Sequence, residues 1–486
     1  MSFIENIKEK YNGLSLPLKA SIWFLICNLL LKGISFISTP IFTRVLPPSE
    51  YGLLATFMTY QDLILTLATW QIALSAYQKG IYKFKYDLKF FSGVVQIFSN
   101  LLTIVFFLLV FVFFQCFSSY TGMDFLSAVF LFLYMLLEPS FSCWLIHSRS
   151  NYKYKNAVIM TFLQSVLTVI IPLYVVVNID CSAVARFRSS LFISCILYSY
   201  FYVKQLYIKQ ICLNIKRGIR YCKYIISYQV PIVIHAISYT VLAQADRLMI
   251  GSMVGNEEVA YYTIAYNIGA IALIVQTSIS QALIPWRFEK LQNRAYGDIF
   301  KYTRIIVAAM GGLILSFILI SPEVVKMMFT ENYYEAVWSI PPVSVGMFFV
   351  FLYSMFVWVE NYYEKTSYVA LVSVVCSFIN VILNYVSIPF FGYIACGYTT
   401  AISYMCFGLG HYYFMKKACK SSGVYEDIYD IRSFLFISVV VVLLSLVITS
   451  LYPYIWIRYA LVTFLLIAVY IKKKDIISVC KFFREK

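Results

Sequence analysis

Fourteen stretches of about 20 mostly apolar residues run along this chain, and nothing else in it narrows the possible folds so far. They start near residues 18, 51, 92, 125, 157, 185, 225, 259, 303, 337, 367, 394, 433 and 457. Each is long enough for a helix to cross a bilayer, where backbone polar groups have no water to bond and pair within the helix instead. In a chain of 486 residues this leaves short loops and no room for a soluble domain. Composition agrees: 61% of the residues are hydrophobic, 13% are charged and the mean hydropathy is +0.77. A soluble domain carries about 25% charged residues. An ordinary cytosolic enzyme, a disordered chain and a disulfide scaffold are therefore excluded.

The charges set an orientation. The net charge of +16 would suit a nucleic-acid partner in a soluble chain, but cytoplasmic loops of membrane proteins collect Lys and Arg. With the N-terminus inside, the inner segments are 1–19, 77–91, 148–156, 204–224, 284–304, 360–367, 416–432 and 472–486. Of 39 Lys and Arg residues, only Lys32, Arg44, Arg186, Arg188, Arg247, Lys326 and Arg458 fall elsewhere. A wrong span count would have put later basic loops on the wrong side. The expectation is an all-α polytopic membrane protein with 14 spans and both termini cytoplasmic. The stretch before Leu18 lacks a small-residue cleavage pattern and reads as a cytoplasmic tail, not a signal peptide.

Soluble-enzyme chemistry is missing. The 12 cysteines form no CxxC pair and mostly sit in apolar stretches. There is no GxxxxGK[ST] phosphate loop and no GxSxG elbow, and His147, His235 and His411 are not at metal-ligand spacing. The run Glu426-Asp427-Ile428-Tyr429-Asp430 reads as a solvated loop. No catalytic residue, metal, cofactor or nucleic-acid partner is expected.

A shift of 208 residues lays Leu46–Thr56 over Val254–Ile264, with Glu50 on Glu258. Nearby, Asp87 and Asp298 each precede a span. The shift holds six spans, an even number, so both copies run the same way through the membrane. That is the parallel-repeat plan of transporters, with a site near the midplane between the halves. The expected division is 1–210 (spans 1–6), 211–420 (spans 7–12), and 421–486 (spans 13 and 14 with a cytoplasmic tail).

Polar stripes recur at helical spacing. Asn28, Lys32, Ser35 and Thr39 share one face of span 1; Thr59, Asp62, Thr66 and Thr69 share one face of span 2. The same shift carries them to Ala236, Thr240, Ala243 and Arg247 in span 7, and to Asn267, Ala270, Ile274 and Thr277 in span 8. Small and hydroxylated residues also hold helices together, so packing explains the Ser, Thr and Ala positions as well as a site does. The charges are harder to dismiss. A Lys or Asp at mid-depth costs about 2.5–3.5 kcal/mol on insertion scales. Lys32 and Asp62 lie at similar depth on neighbouring antiparallel spans, and Glu138, beside Pro139, lies at comparable depth in span 4. Lys32 pairs with one of these carboxylates, or binds an anionic group in a wet cavity while a carboxylate balances it; the two are not exclusive, because a substrate can compete with an internal partner. Asp62 and Glu138 are the candidates for coupling to H⁺ or Na⁺. Arg44, Arg186, Arg188 and Arg247 sit towards outer span ends: either they snorkel to headgroups, or their planar forks wall an anion cavity. Asp246 reads as a local partner of Arg247. His235, mid-span beside Pro231, reads as a hydrogen-bonded packing residue or a proton relay.

Three motifs then point to a family. Phe42-Thr43-Arg44-Val45-Leu46-Pro47-Pro48-Ser49-Glu50-Tyr51-Gly52 resembles the first-loop signature of polysaccharide flippases. Asp246-Arg247-Leu248-Met249-Ile250-Gly251 with Tyr261-Tyr262 resembles their span 7–8 signature. Asn380 to Asn384, then Ile388-Pro389-Phe390-Phe391-Gly392-Tyr393 and Gly397, resembles their span 11–12 turn. The chain is identified on these as a member of the Wzx-like O-antigen and capsule repeat-unit flippases of the multidrug/oligosaccharidyl-lipid/polysaccharide (MOP) exporter superfamily. The resemblance implies two six-helix lobes in a MATE-like V, plus two C-terminal helices. It implies translocation of an undecaprenyl-pyrophosphate-linked oligosaccharide across the bacterial inner membrane, beside glycan polymerase and chain-length machinery.

The expected mechanism is alternating access around a cationic cavity lined by spans 1, 2, 7 and 8. Lys32, Arg44, Arg186, Arg188, Arg247, Asn28 and Thr59 are expected to bind substrate; Asp62, Glu138 and His235 are expected to balance charge or couple an ion. The prenyl tail stays in lipid, because stranding phosphate charge in hydrocarbon is prohibitive. Rival readings are a lipid II flippase, a cation/drug antiporter, and a membrane glycan polymerase. A cationic drug favours net carboxylates, and a polymerase usually carries a large outer loop, whereas the longest outer segment here is about 321–336.

Overall fold

The computed structural model describes residues 16–205, 214–363 and 365–471. Within them every regular element is a helix. The inner segment 472–486, most of 1–19 and part of 204–224 lie outside the described residues, as does the side chain of Asn28.

In chain order the α-helices are α1 (Leu16–Val45), α2 (Pro48–Thr69), α3 (Ala76–Lys83), α4 (Leu88–Val112), α5 (Phe114–Thr121), α6 (Phe125–Ser150), α7 (Tyr154–Asn178), α8 (Ala183–Gln205) and α9 (Ile215–Met253). They continue as α10 (Asn256–Gly269), α11 (Ile271–Gln292), α12 (Tyr296–Met328), α13 (Ile340–Tyr362), α14 (Thr366–Phe391), α15 (Ile394–Ser421), α16 (Ile431–Ser450) and α17 (Ile455–Ile471). Each of the fourteen apolar windows overlaps a helix within the described residues. By length and hydropathy alone, however, only 9 helices among the described residues are fit to cross a membrane, or up to 10 with the bent α9. The helices that fall short are the polar ones or the short one. Asp62 lies in α2, Arg186 and Arg188 in α8, and His411 and three Lys in α15, while α17 has 17 residues. A helix surrounded by protein can carry such residues, because its neighbours shield them from lipid.

Local chemistry accounts for the ends. α2 opens with Pro48, whose missing N–H costs nothing in a first turn, and Glu50 suits the positive end of the helix dipole. It stops where Trp70 and Gln71 turn left-handed, at φ 52° and 47°. Gly392 ends α14 at φ 64°, a conformation that a side chain disfavours. α9 bends by 44° between Val230 and Ile232, at Pro231, which cannot donate to the helix ladder.

The 208-residue offset reappears in the helix boundaries. α1 and α9 end at Val45 and Met253, α2 and α10 start at Pro48 and Asn256, and α4 and α12 start at Leu88 and Tyr296.

The chain forms two compact units, Met1–Thr263 with Lys365–Tyr393, and Ile264–Glu364 with Ile394–Lys486. Compactness thus groups α9 and α14 with the first half of the chain, whereas the repeat pairs them with the second. In the first unit, α9 packs along α14 and α2, and α8 along α6 and α7. An aromatic cluster of Phe84, Phe90, Phe91, Tyr221 and Tyr224 ties α4 to the start of α9. The beginnings of α2 and α10 approach so closely that a Cβ on Gly52 would lie 1.5 Å from the Asn256 carbonyl oxygen. In the second unit, α13 and α15 are the central pair, and α16 covers α12. Apolar side chains of α13 and α15, among them Phe349, Leu352 and Met405, line a groove against Phe434, Val442 and Leu443 of α16.

Candidate functional site

The residues expected to bind substrate, balance charge or couple an ion all lie in the first unit, whereas the span 8 stripe from Asn267 to Thr277 lies in the second. α1 carries Lys32, and its surface is two-sided. Trp23, Ile26, Leu30 and Ile37 are exposed along one apolar face. Lys32 and Ser35 are exposed too, on the face about 180° away at helical spacing. Lys32 has no ion-pair partner among the described residues. The expected Lys32–Asp62 and Lys32–Glu138 pairs are absent, because α1 packs chiefly on α7, where Trp23 stacks on Tyr154 at 6.4 Å, and little on α2. Arg44, in the last turn of α1, is also exposed.

Asp62 has a different partner. Gln244 of α9 donates Nε2–H to Asp62 Oδ2 at 3.0 Å, and Arg247 Nη1 donates to Gln244 Oε1 at 2.7 Å. Arg247, buried, also donates Nε–H to Thr263 at 3.3 Å. One turn along, Thr66 and Thr240 lie 3.4 Å apart, and Gln71 donates to Thr66 at 2.8 Å. The polar stripe of span 2 therefore rests on the polar stripe of span 7, the two stripes the sequence picked out separately. Thr59 is buried and donates to the Ala55 carbonyl at 2.9 Å, so its hydroxyl is used within α2. Gln244 was missed from the sequence, although it stands four residues after Thr240 on the same face.

The arginines do not form one wall. Arg186 is buried on α8, with its guanidinium 4.2 Å from the centre of the Phe42 ring, and its Nε and Nη1 have no hydrogen-bond partner among the described residues. Tyr51 of α2 lies within electrostatic reach of both Arg186 and Arg247. Arg188 leaves this group. Two positions along a helix turn a side chain by about 200°, and Arg188 is ion-paired with Asp124 and donates Nε–H to Ser127 at 3.0 Å. It serves as an anchor for the start of α6.

Glu138 is half-buried and accepts a short hydrogen bond from Ser142, one turn further along α6. Tyr134, which is hydrogen-bonded to Gln61, lies within electrostatic reach of both Glu138 and Asp62. The two carboxylates thus belong to one polar region between α2 and α6. His235 bonds through Nδ1 to Ser373 of α14 at 2.9 Å, so its ring ties α9 to α14. Asp246 accepts from Asn384 Nδ2 at 2.6 Å and from the Tyr262 hydroxyl. Residues from two of the three family-like motifs are thereby joined in one buried network.

This geometry offers an exposed lone cation, buried guanidinium groups and carboxylates held by amides, with no nucleophile–base pair and no metal-ligand cluster among the described residues. Such a set can bind a charged group. A family model described as polysaccharide biosynthesis protein matches residues 18–291. The chain belongs to this polysaccharide biosynthesis protein family. No curated protein matches it. Among solved structures, this family member is similar to the lipid II flippase MurJ in an inward closed conformation, with TM-score 0.63 and 14% identity over 94% of this chain and 100% of that one. It is similar to an inward-facing multidrug resistance MATE family transporter of the MOP superfamily, with TM-score 0.60 and 14% identity over 82% and 99%. It is also similar to a MOP superfamily transporter from Pyrococcus furiosus described as having a binding pocket of reverse polarity, with TM-score 0.58 and 13% identity over 83% and 96%. What is shared with these structures is the fold. The resemblance read from the motifs holds for family and fold: the chain is a multi-pass, all-α membrane protein.

Proposed function

We propose that this chain is a Wzx-like flippase that moves an undecaprenyl-pyrophosphate-linked oligosaccharide repeat unit across the bacterial inner membrane. On this reading it has fourteen spans, both termini cytoplasmic, two six-span lobes related by the 208-residue repeat, and two further C-terminal spans. It works by alternating access. The sugar-pyrophosphate head is held by cations while the prenyl chain stays in lipid.

The observation that carries the reading is α1. An ammonium in the middle of a span is exposed opposite an apolar face, without a carboxylate partner among the described residues. Such a charge is tolerated where it meets water or an anionic ligand. Arg186 and Arg247 add buried positive charge near Tyr51, while Arg188 is committed to Asp124. Asp62 and Glu138 stay the first-unit candidates for ion coupling.

The test is Lys32→Ala in the native host, with membrane level checked by immunoblot. Loss of surface glycan with the protein still present is expected, with partial recovery in Lys32→Arg. Normal glycan in Lys32→Ala would reject the site. A peptidoglycan-precursor cargo is the second reading, favoured by the MurJ-like fold over 94% of the chain. Rescue of cells depleted of their lipid II flippase would support it.

A further inference from the structure

The second unit holds a buried ionisable pair that the site above does not use. Glu360, near the end of α13, and His411, in α15, both have 0% side-chain exposure. Each Glu360 carboxylate oxygen lies 3.1 Å from His411 Nδ1. The imidazole stacks on Tyr353 at 5.8 Å and meets Phe407 edge-on at 4.6 Å. Its other nitrogen, Nε2, is buried without a hydrogen-bond partner among the described residues.

Other ionisable groups stand further off. Arg287 of α11 is buried with its guanidinium 5.9 Å from the centre of the Trp358 ring. Tyr429, in the α15–α16 connection, spends its hydroxyl on the Met355 carbonyl at 3.1 Å. From α12 and α16, no charged group comes within ion-pair distance of Glu360 among the described residues. Cys419, two turns beyond His411 on α15, is within electrostatic reach of the carboxylate. The same Cys419, with Tyr412, Lys416, Glu426 and Tyr429, lines a small cleft at the loop end of α15.

Proton counting shows what such a pair does. With a proton on Nδ1 only, the pair has a net charge of −1 in apolar packing, which is unfavourable. One more proton makes it neutral, as imidazolium with carboxylate or as imidazole with carboxylic acid. Nε2 is left unsatisfied in either form, as a donor without an acceptor or a lone pair without a donor. Buried polar atoms are normally satisfied, so an inert strut built from these groups would be a poor one.

We propose that Glu360 and His411 form a proton-binding site through which the second unit couples a proton gradient to transport; this rests on the flippase reading above. The ligand is H⁺ from the aqueous phase. It enters by the cleft at Cys419, lodges between Nδ1 and the carboxylate, and leaves to water when the pair is next exposed, so no other reactant is needed.

The experiment uses the full chain in proteoliposomes holding a trapped pH dye, with lipid-linked glycan extracted from the native host. Wild-type protein is expected to show glycan-dependent proton flux. Glu360→Gln, whose amide oxygen still accepts from Nδ1–H, loses that flux while keeping its melting temperature, and His411→Gln does the same. Wild-type flux in Glu360→Gln overturns the proposal. Infrared titration of the same samples gives a readout independent of cargo. A carboxylic-acid C=O band that titrates in wild type, vanishes in Glu360→Gln and shifts in His411→Gln supports the site; identical spectra for wild type and Glu360→Gln across the pH range overturn it. Failure of wild-type protein to move any glycan would count against the flippase reading, and the infrared result would still decide the pair.

Discussion

Replacing Gly52 by Ala tests how tightly α2 and α10 are joined at their first turns. A Cβ there would lie 1.5 Å from the Asn256 carbonyl oxygen, 2.5 Å from its carbon and 3.1 Å from the Ala260 nitrogen. Ordinary carbon–oxygen contacts are about 3.3–3.6 Å, so the helix starts have to separate by about 2 Å. All three atoms are backbone, and no side chain can swing aside. Overpacking typically costs about 1–3 kcal/mol, and a forced backbone shift puts this substitution at the upper end. About 3 kcal/mol corresponds to a population change of roughly 150-fold between a state with these ends joined and one with them apart. Gly312→Ala is the control. It lies inside α12 with nothing within 4 Å of the added methyl, so it should gain about 0.5–1 kcal/mol of helix propensity. The assay is thermal unfolding in detergent, together with the distance between spin labels on the exposed Ser49 and Glu257 in a cysteine-free background. Gly52→Ala should melt lower and lengthen or broaden the label distance, while Gly312→Ala does neither. An unchanged melt and an unchanged distance for Gly52→Ala would refute the close approach.

Two further outcomes follow from single contacts. Asp246→Asn removes the charge from the bonds donated by Asn384 and Tyr262 and puts an amide N–H₂ where one of them met oxygen; a loss of about 1–3 kcal/mol is expected, read as a lower melting temperature than that of wild type. Asp430 caps α16, accepting from the Ser433 hydroxyl at 2.6 Å and its backbone N–H at 3.1 Å, and these bonds, with Ser433 first, hold its carboxyl below the usual range. The contribution of the cap is therefore present above the unfolded carboxyl pKa of about 3.9 and disappears as pH falls through the lower folded value, so melting curves of wild type and Asp430→Ala should converge at acid pH and differ by about 1 kcal/mol near neutrality.

The fold class was legible because apolar length and loop charge report directly on the solvent each segment meets. The repeat was legible as well, and the helix ends at Val45 and Met253 keep its offset. The site was legible in residue type but not in pairing. Depth along the membrane follows from counting residues, so Lys32 and Asp62 were placed level; lateral neighbours do not, and α1 turned out to lean on α7. Arg186 and Arg188 looked like one group in a linear reading, but helical twist sends them to different partners. Glu360 and His411 are 51 positions apart, and Glu360 sat at the edge of an inner segment with little charge of its own. Nothing local in the sequence joins them; only the packing of α13 on α15 does.

The opposed faces of α1 bear on how an amphiphile travels. A molecule with an oily anchor and a hydrated, anionic end cannot be enclosed by one kind of surface. On the flippase reading proposed above, a helix with Leu30 and Ile37 on one flank and Lys32 on the other borders both media at once. A doorpost of this kind lets the two ends of such a cargo advance together, each staying in its own solvent throughout the crossing.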